Sequence, residues 1–208
     1  MEKFIAYFLL ALTLVSCSES EKPEGISLFN GKTMEEWESI AFGGEGKPYI
    51  KDKSMILSRA TAGFLTGVRY IGKEELPTDN YELVFEASRL EGNDFFAGAT
   101  FPIGDSFLTL ILGGWAGSVC GLSNLDGVDA FENETRFKMS FEDNKWYKVR
   151  IGVSGTIVKV WIDDETVVNV DTAGKDVDLR QEVILTEPLG FSSYLTTGAV
   201  RNIRLIKS

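Results

Sequence analysis

The sequence predicts an all-β domain in which two antiparallel sheets pack as a sandwich, and three observations support this prediction. Within many short segments, apolar and polar residues alternate with the period of two that a half-buried strand requires. Turn residues, above all the 21 glycines, separate these segments. No long segment has the apolar spacing of an amphipathic helix. About twelve short strands in one domain must each bury one face, so two packed sheets are expected.

The first residues differ from the rest of the chain and predict an export signal. An apolar run, residues 4–15, would span only about 18 Å as a helix, against about 30 Å of membrane hydrocarbon. This length fits a signal peptide, residues 1–16, better than a membrane span. "LVSCS" resembles the lipobox of bacterial lipoproteins, which implies lipidation at Cys17. The alternative is an ordinary signal peptide followed by an unmodified cysteine. If Cys17 is lipidated, the lipid anchors the protein in the bacterial cell envelope, at the outer membrane or cell surface.

The remaining chain divides into a tether and one domain. Residues 17–25 are polar and acidic, which is typical of a flexible tether, and residues 26–208 form the predicted domain. "YELVFEASRL", from Tyr81, and "WYKVRIGVSG", from Trp146, each alternate as strands do. "TIVKVWIDDETVVNVD", from Thr156, predicts a hairpin with its tip near Asp163 and Asp164. Short helical turns are expected only within 33–37 and 72–76.

Composition excludes several kinds of chemistry. The chain has no histidine, so histidine-dependent triads and histidine-ligated zinc are excluded. If Cys17 is lipidated, Cys120 is the one thiol left, and we expect it to be a small buried residue. A net charge of −10 makes nucleic acid a poor partner, since phosphate binding requires a basic surface.

Four segments resemble the 3-keto-disaccharide hydrolase domain family of secreted bacterial proteins. They are "LFNGKTMEEW" (28–37), "EGND" (91–94), "KWYKVRI" (145–151) and "VRNIRL" (200–205). The resemblance spans residue 26 to the C-terminus, and it implies a concanavalin-like jelly roll with a carbohydrate ligand. Asn30-Gly31 also suits a turn, and Trp37 and Trp146 suit a core, so these matches indicate fold before chemistry.

The sequence departs from this family where catalytic groups are expected. After the Gly-Asn segment the family typically has Ser-Gly and an arginine, whereas "GNDFFAGATFP" has no arginine. The later "SFLTLILGG" lacks the family's glutamate and glutamine, and the Glu-x-Asp-x-x-Glu strand of related laminarinase-type glucanases is also missing. The resemblance therefore transfers no catalytic residue to this chain.

Candidate site residues concentrate between residues 113 and 135. Gly113 and Gly114 follow an apolar strand and would let the backbone bulge, so that Trp115 either offers its ring to a sugar or packs between the sheets. "NLDGVD" places Asn124, Asp126 and Asp129 around a glycine; it fails the twelve-residue calcium-loop template but leaves a calcium site of other geometry open. Otherwise Asp-Gly is a hairpin tip. No other cofactor is expected.

Carboxylates in the same stretch are the candidate catalytic groups. In an extended "FENET", Glu132 and Glu134 would share one face about 6.6 Å apart, within reach of either carboxylate geometry of glycoside hydrolysis. Such proximity is also common on a solvated edge, and the pattern favours an acidic surface strand. Glu134 or Asp126 is the predicted base. The predicted substrate-binding residues, with their roles, are Arg69 or Lys159 as electrostatic partner, Trp115 as platform and Trp161 as a second stacking residue.

Three functional hypotheses follow. The first is an enzyme acting on glycosidic, including 3-keto, sugars: a ketone at C3 acidifies the C2 proton, so one positioned base can start elimination without histidine. The second is a non-catalytic carbohydrate-binding or adhesion lipoprotein. The third is a structural surface protein. In each hypothesis the membrane is contacted through the lipid anchor only, and the first two take carbohydrate as the partner.

Overall fold

The computed structural model describes residues 24–61 and 63–207. The predicted signal peptide, Cys17 and most of the predicted tether lie outside these residues. The described chain forms fifteen strands. In chain order they are β1 (Ile26–Ser27), β2 (Trp37–Ser39), β3 (Tyr49–Lys51), β4 (Ser54–Leu57), β5 (Leu65–Tyr70), β6 (Tyr81–Gly92), β7 (Ala97–Ile103), β8 (Ser106–Gly113), β9 (Val119–Ser123), β10 (Phe137–Lys138), β11 (Tyr147–Ser154), β12 (Ile157–Ile162), β13 (Glu165–Asp171), β14 (Gly190–Tyr194) and β15 (Thr196–Lys207).

The strands form two antiparallel sheets, which confirms the predicted fold class. The eight-stranded sheet has the order β13-β12-β11-β6-β15-β4-β3, with β1 paired to the far end of β15. The seven-stranded sheet has the order β10-β9-β8-β7-β14-β5-β2. Many neighbours in these sheets are distant in sequence, so the sheets are joined by crossing connections. No helix among the described residues is long and apolar enough to cross a membrane.

The core lies between the facing sides of the two sheets. On β6 the alternating side chains Tyr81, Leu83, Phe85 and Ala87 are buried, as the sequence predicts. The Phe85 ring meets Phe191 of the opposite sheet edge to face, with centroids 4.9 Å apart. Aromatic pairs of this geometry stabilise beyond the area they bury, by about 0.5–1.5 kcal/mol.

Two further predictions about the core are confirmed. Trp37 is buried, and its indole N–H donates to the Leu28 carbonyl at 2.8 Å. Cys120 is fully buried and accepts a hydrogen bond from the Gly113 N–H at 3.3 Å. Burial raises the pKa of the Cys120 thiol to about 12, which leaves it protonated and a poor nucleophile at neutral pH.

Two local predictions differ from the structure. Residues 33–36 and 72–76 form turns and bends instead of helical turns. A 3₁₀ helix, Gln181–Thr186, lies between β13 and β14. The hairpin prediction is correct, because Asp163 and Asp164 join β12 to β13 with φ of 49° and 68°. These positive values are accessible to Asp at a tight turn.

Candidate functional site

A groove of about 530 Å³ lies on the outer face of the seven-stranded sheet. Its floor comes from alternate residues of the sheet, because side chains two apart on a strand point the same way. Thr109 and Ile111 of β8 and Ser123 of β9 are examples. The full lining consists of Phe42, Gly63, Phe64, Leu65, Asp94, Phe95, Thr109, Ile111, Trp115, Ser123, Arg180, Glu182, Val183 and Tyr194.

Aromatic side chains form much of the groove wall. Phe95 and Tyr194 stack with centroids 6.1 Å apart and an interplanar angle of 23°. Trp115 is half-buried, and its ring lies 5.6 Å from that of Phe131 in the neighbouring loop. Phe64 on the opposite wall is more than one-third exposed. Exposed aromatic faces in a concave site are typical of ligand pockets, because they bury large areas against flat apolar surfaces.

A left-handed turn after β8 presents Trp115. Trp115 and Ala116 have φ of 47° and 65°, and glycines at 113 and 117 have φ of 76° and 98°. A Cβ at Gly117 would lie 3.3 Å from the Asn93 carbonyl oxygen, so glycine also relieves a close approach there. Non-glycine residues in this conformation cost about 1–2 kcal/mol each. The surrounding contacts therefore hold the tryptophan in a strained and specific position.

Asp94 is the carboxylate beside this turn. Its Oδ2 accepts from the Ala116 N–H at 3.4 Å and its Oδ1 from the Phe95 N–H at 2.8 Å. Its backbone is held by the buried Thr196, whose hydroxyl accepts from the Asp94 N–H and donates to the Asp94 carbonyl. Among the ion pairs of residues 24–61 and 63–207, Asp94 has no partner. A carboxylate and an indole thus lie side by side at the groove.

A charged triad forms the other side of the groove. Arg180 Nη1 lies 2.6 Å from Asp129 Oδ2, and Nη2 lies 3.0 Å from Glu182 Oε1. The hydrogen bond with Glu182 raises the pKa of Arg180, and the same bond lowers the pKa of Glu182. Arg180 and Glu182 therefore stay ionised at neutral pH. Arg180 is the N-cap residue of the 3₁₀ helix and Glu182 lies in its first turn, so this helix positions two of the three groups.

The predicted catalytic acids lie elsewhere. Residues 131–135 form turns and a bend, so "FENET" is not extended and Glu132 and Glu134 do not share a strand face. Glu134 instead pairs with Lys175 at 2.8 Å, and Asp126 lies 3.8 Å from the same ammonium. Glu134 and Lys175 line a separate cleft of about 460 Å³ beside β13. Glu132 is exposed and lines neither the groove nor this cleft.

The "NLDGVD" segment is a hairpin tip. Leu125 and Val128 exchange two backbone hydrogen bonds of 3.0 Å across Asp126 and Gly127, both with positive φ. Of the acidic side chains in this segment, Asp126 lies near the Lys175 ammonium and Asp129 pairs with Arg180. Within the described part of the chain, no group of three or more acidic, histidine or cysteine side chains could hold a metal ion. These contacts favour the turn interpretation over the calcium one.

Of the four predicted substrate-binding residues, the structure places Trp115 in the groove and the others outside it. Lys159 and Trp161 lie on the solvent face of the eight-stranded sheet, opposite the buried Val158 and Val160. The Arg150 guanidinium covers the Trp161 ring at 3.7 Å. Arg69 shares a face of β5 with the groove residue Leu65, about 13 Å along the strand, and pairs with Glu38 at 2.6 Å.

Sequence reasoning missed several groove residues. Asp94 lies within the "EGND" segment quoted for the family resemblance, but its carboxylate is not among the predicted site residues. Arg180 and Glu182 are visible in the sequence as polar residues, yet no local pattern predicts that Arg180 pairs with Asp129, 51 residues away. No local pattern indicates Tyr194.

Comparison with solved structures supports the fold assignment. Crh5 transglycosylase superposes with a TM-score of 0.62 at 11% identity, covering 89% of this chain and 84% of that one. The carbohydrate-binding module CBM66 from Bacillus subtilis gives 0.51 at 13% identity, covering 83% and 96%. The carbohydrate recognition domain of Emp46p gives 0.55 at 12% identity, covering 83% and 88%. These matches confirm the concanavalin-like jelly roll.

Comparison of sequences identifies the family. No curated protein matches the chain. A sequence model of the 3-keto-alpha-glucoside-1,2-lyase-like domain matches residues 24–206, which is nearly all of the described structure. The chain therefore belongs to the family of 3-keto-alpha-glucoside-1,2-lyase-like domains.

Proposed function

We propose that the groove binds a saccharide and that the protein cleaves the glycosidic bond of a 3-keto sugar by elimination. One observation carries the proposal: the Asp94 carboxylate is hydrogen-bonded to the same left-handed turn that presents Trp115. This contact places a base beside a flat apolar platform. Membership of the lyase-like family supports the reaction type.

Trp115 is the proposed platform. The face of a pyranose ring carries C–H groups of weak positive charge, and these match the negative face of an indole. Phe131 packs against the indole and limits its rotation. A ring held in this way loses little conformational freedom when a sugar binds, so more of the contact energy appears as affinity.

Asp94 is the proposed base. The ketone at C3 acidifies the C2 proton; the carboxylate removes it, the C1–C2 double bond forms, and the C1–O bond breaks. The leaving oxygen takes a proton, and water can then add to the unsaturated product. Glu182 is a weaker candidate, because the hydrogen bond from Arg180 already lowers its pKa. The Tyr194 hydroxyl is a donor in the lining that could stabilise charge on the ketone oxygen.

Binding without turnover is the second candidate function. The structurally similar proteins include a carbohydrate-binding module and a carbohydrate recognition domain, so the same sandwich serves binding alone in other proteins. The aromatic groove wall suits such a role equally well. A carbohydrate-binding or adhesion protein would need Trp115 but not Asp94.

An assay with 3-keto-disaccharides separates the two candidates. The unsaturated ketone product absorbs in the ultraviolet, so its appearance measures elimination directly. Asp94→Asn keeps an oxygen for the backbone N–H donors but removes the base, and it should lower kcat by about 10²–10⁴-fold. Glu134→Gln is the matched control and should leave kcat within about twofold. Binding without product supports the second candidate; an Asp94→Asn variant with full activity contradicts our assignment of the base.

We also propose that the protein is a lipoprotein anchored through Cys17 at the bacterial outer membrane or cell surface. β1, where the described chain begins, pairs with Leu205 near the end of β15, whereas Thr196 at its beginning contacts Asp94. Nine residues of strand separate these points by about 30 Å. A tether attached there would leave the groove directed away from the membrane. Cys17→Ser should abolish fatty-acid labelling and release the protein from the membrane fraction.

A further inference from the structure

The charges of the groove are unevenly matched. Its lining contains two carboxylates, Asp94 and Glu182, and one cation, Arg180. An isolated arginine in a sugar groove would be a natural receptor for a carboxylate or sulfate, because its planar fork binds such groups with two hydrogen bonds. Whether Arg180 can act in this way depends on its existing partners.

Those partners already occupy the guanidinium. Nη1 donates to Asp129 at 2.6 Å, Nη2 to Glu182 at 3.0 Å, and Nε to the same carboxylate at 3.4 Å. Two carboxylates on one guanidinium leave this triad with a net negative charge. Asp129 is the less exposed acid, with 23% of its side chain accessible. Releasing it from Arg180 would leave a partly buried charge without its partner, which is costly.

Asp94 adds a second uncompensated negative charge. It receives hydrogen bonds from backbone N–H groups, and no described lysine or arginine forms an ion pair with it. The chain as a whole carries −10, so the field around the groove also repels anions during approach. Local and overall charge therefore act in the same direction.

We infer that the groove selects uncharged or amino-bearing saccharides and rejects those carrying a carboxylate or sulfate. This inference rests on the proposed function, since it concerns which sugars the same groove accepts. Arg180 acts as a positioning residue for Glu182 and Asp129 and does not receive an anionic substrate. A negative charge on the saccharide is repelled by the negative charge of the groove, which raises the free energy of the complex. Salt screens this repulsion, so the effect becomes smaller as the salt concentration rises.

Three methyl glycosides test the inference by calorimetry. Methyl α-glucoside, methyl α-glucuronide and methyl α-glucosaminide differ at single positions, so their dissociation constants compare charge at nearly constant shape. We expect the glucuronide to bind at least tenfold more weakly than the glucoside and the glucosaminide to bind as well or better. The ratio of the glucuronide and glucoside dissociation constants should be smaller at high salt than at low salt. A glucuronide that binds as tightly as the glucoside overturns the inference alone, whereas no binding by all three overturns the proposed function and the inference with it.

Two variants assign the selectivity to the triad. Asp129→Asn removes one carboxylate from Arg180 and keeps an acceptor for the Phe131 N–H, so discrimination against the glucuronide should fall several-fold. Glu182→Gln should act in the same direction and covers the case in which the first variant misfolds. Glu132→Gln removes the same charge from an exposed position of the adjoining loop. If Glu132→Gln lowers the discrimination against the glucuronide as much as the triad variants do, the overall charge determines the selectivity, and the role of the triad is overturned.

Discussion

The floor of the groove yields a prediction about Gly98. This residue pairs with Ile111, a groove-lining residue, across β7 and β8. A Cβ at Gly98 would lie 2.7 Å from Ser192 Oγ and 3.3 Å from Phe95 Cε2. The substitution Gly98→Ala must therefore displace the Ser192 hydroxyl and press on the Phe95 ring.

The cost follows from the burial of Ser192. Its side chain is fully buried, and its hydroxyl donates to the Gly98 carbonyl at 3.5 Å. Moving this hydroxyl away from its partner costs about 1–3 kcal/mol. Alanine recovers about 0.5–1 kcal/mol, because glycine is unfavourable inside a strand. We expect a net loss of about 1–2 kcal/mol in the free energy of unfolding, or about 3–6 °C in Tm for a domain of this size.

A double-mutant cycle measures this effect. Thermal unfolding is followed for the wild type, Gly98→Ala, Ser192→Ala and the double variant. Because Ser192→Ala removes the clashing oxygen, the double variant should be more stable than the sum of the single effects by about 1 kcal/mol. Saccharide affinity should fall in Gly98→Ala as Phe95 moves, and it should stay reduced in the double variant, because the added Cβ still lies against the Phe95 ring. Single effects that add within about 0.5 kcal/mol would refute the steric reasoning.

Three other predictions concern reactivity, pH and the opposite sheet. In the Cys17→Ser chain, Cys120 should resist thiol reagents until denaturant is added, because burial raises its pKa to about 12; rapid labelling of the native protein would contradict this. The Glu45 carboxylate accepts hydrogen bonds from its own backbone N–H and from those of residues 42–44, and these bonds lower the pKa of Glu45. The stabilisation they give is therefore complete above the ordinary pKa of glutamate and is lost as the pH falls through the lowered pKa of Glu45. The protection factors of the amides in this loop, which correct for the slower intrinsic exchange in acid, should fall as the pH is lowered, and Glu45→Gln should remove that dependence. Lys159→Ala should leave saccharide affinity within about twofold, since Lys159 lies on the other sheet; a larger loss would place binding there.

The strands and their buried faces could be predicted from sequence because they depend on local alternation. The pattern of Tyr81, Leu83, Phe85 and Ala87 specifies one face of β6, and burial against the other sheet requires that face. The Asp163-Asp164 turn is likewise local. Such features need no knowledge of which strands become neighbours.

The groove could not be predicted in this way because it joins distant segments. Asp94 meets the turn at Ala116 across 22 residues, and Arg180 meets Asp129 across 51. Trp115 was recognisable because glycines flank a large aromatic residue, which is itself a local signal. Glu134 shows the opposite case: its neighbours in sequence suggest a carboxylate pair, but Lys175 from another loop determines its environment.

The division between floor and rim explains how this chain keeps the family fold without the family's usual catalytic residues. The floor consists of strand residues such as Thr109 and Ser123, whose backbones are committed to the hydrogen bonds of the sheet. Trp115 and Arg180 lie on connections between strands, where side chains can change without disturbing the sheet. The absent arginine and glutamate therefore do not imply an absent site. In our proposal the chemistry depends on rim residues, and Asp94, in the connection between β6 and β7, is the position where loss of activity would be most informative.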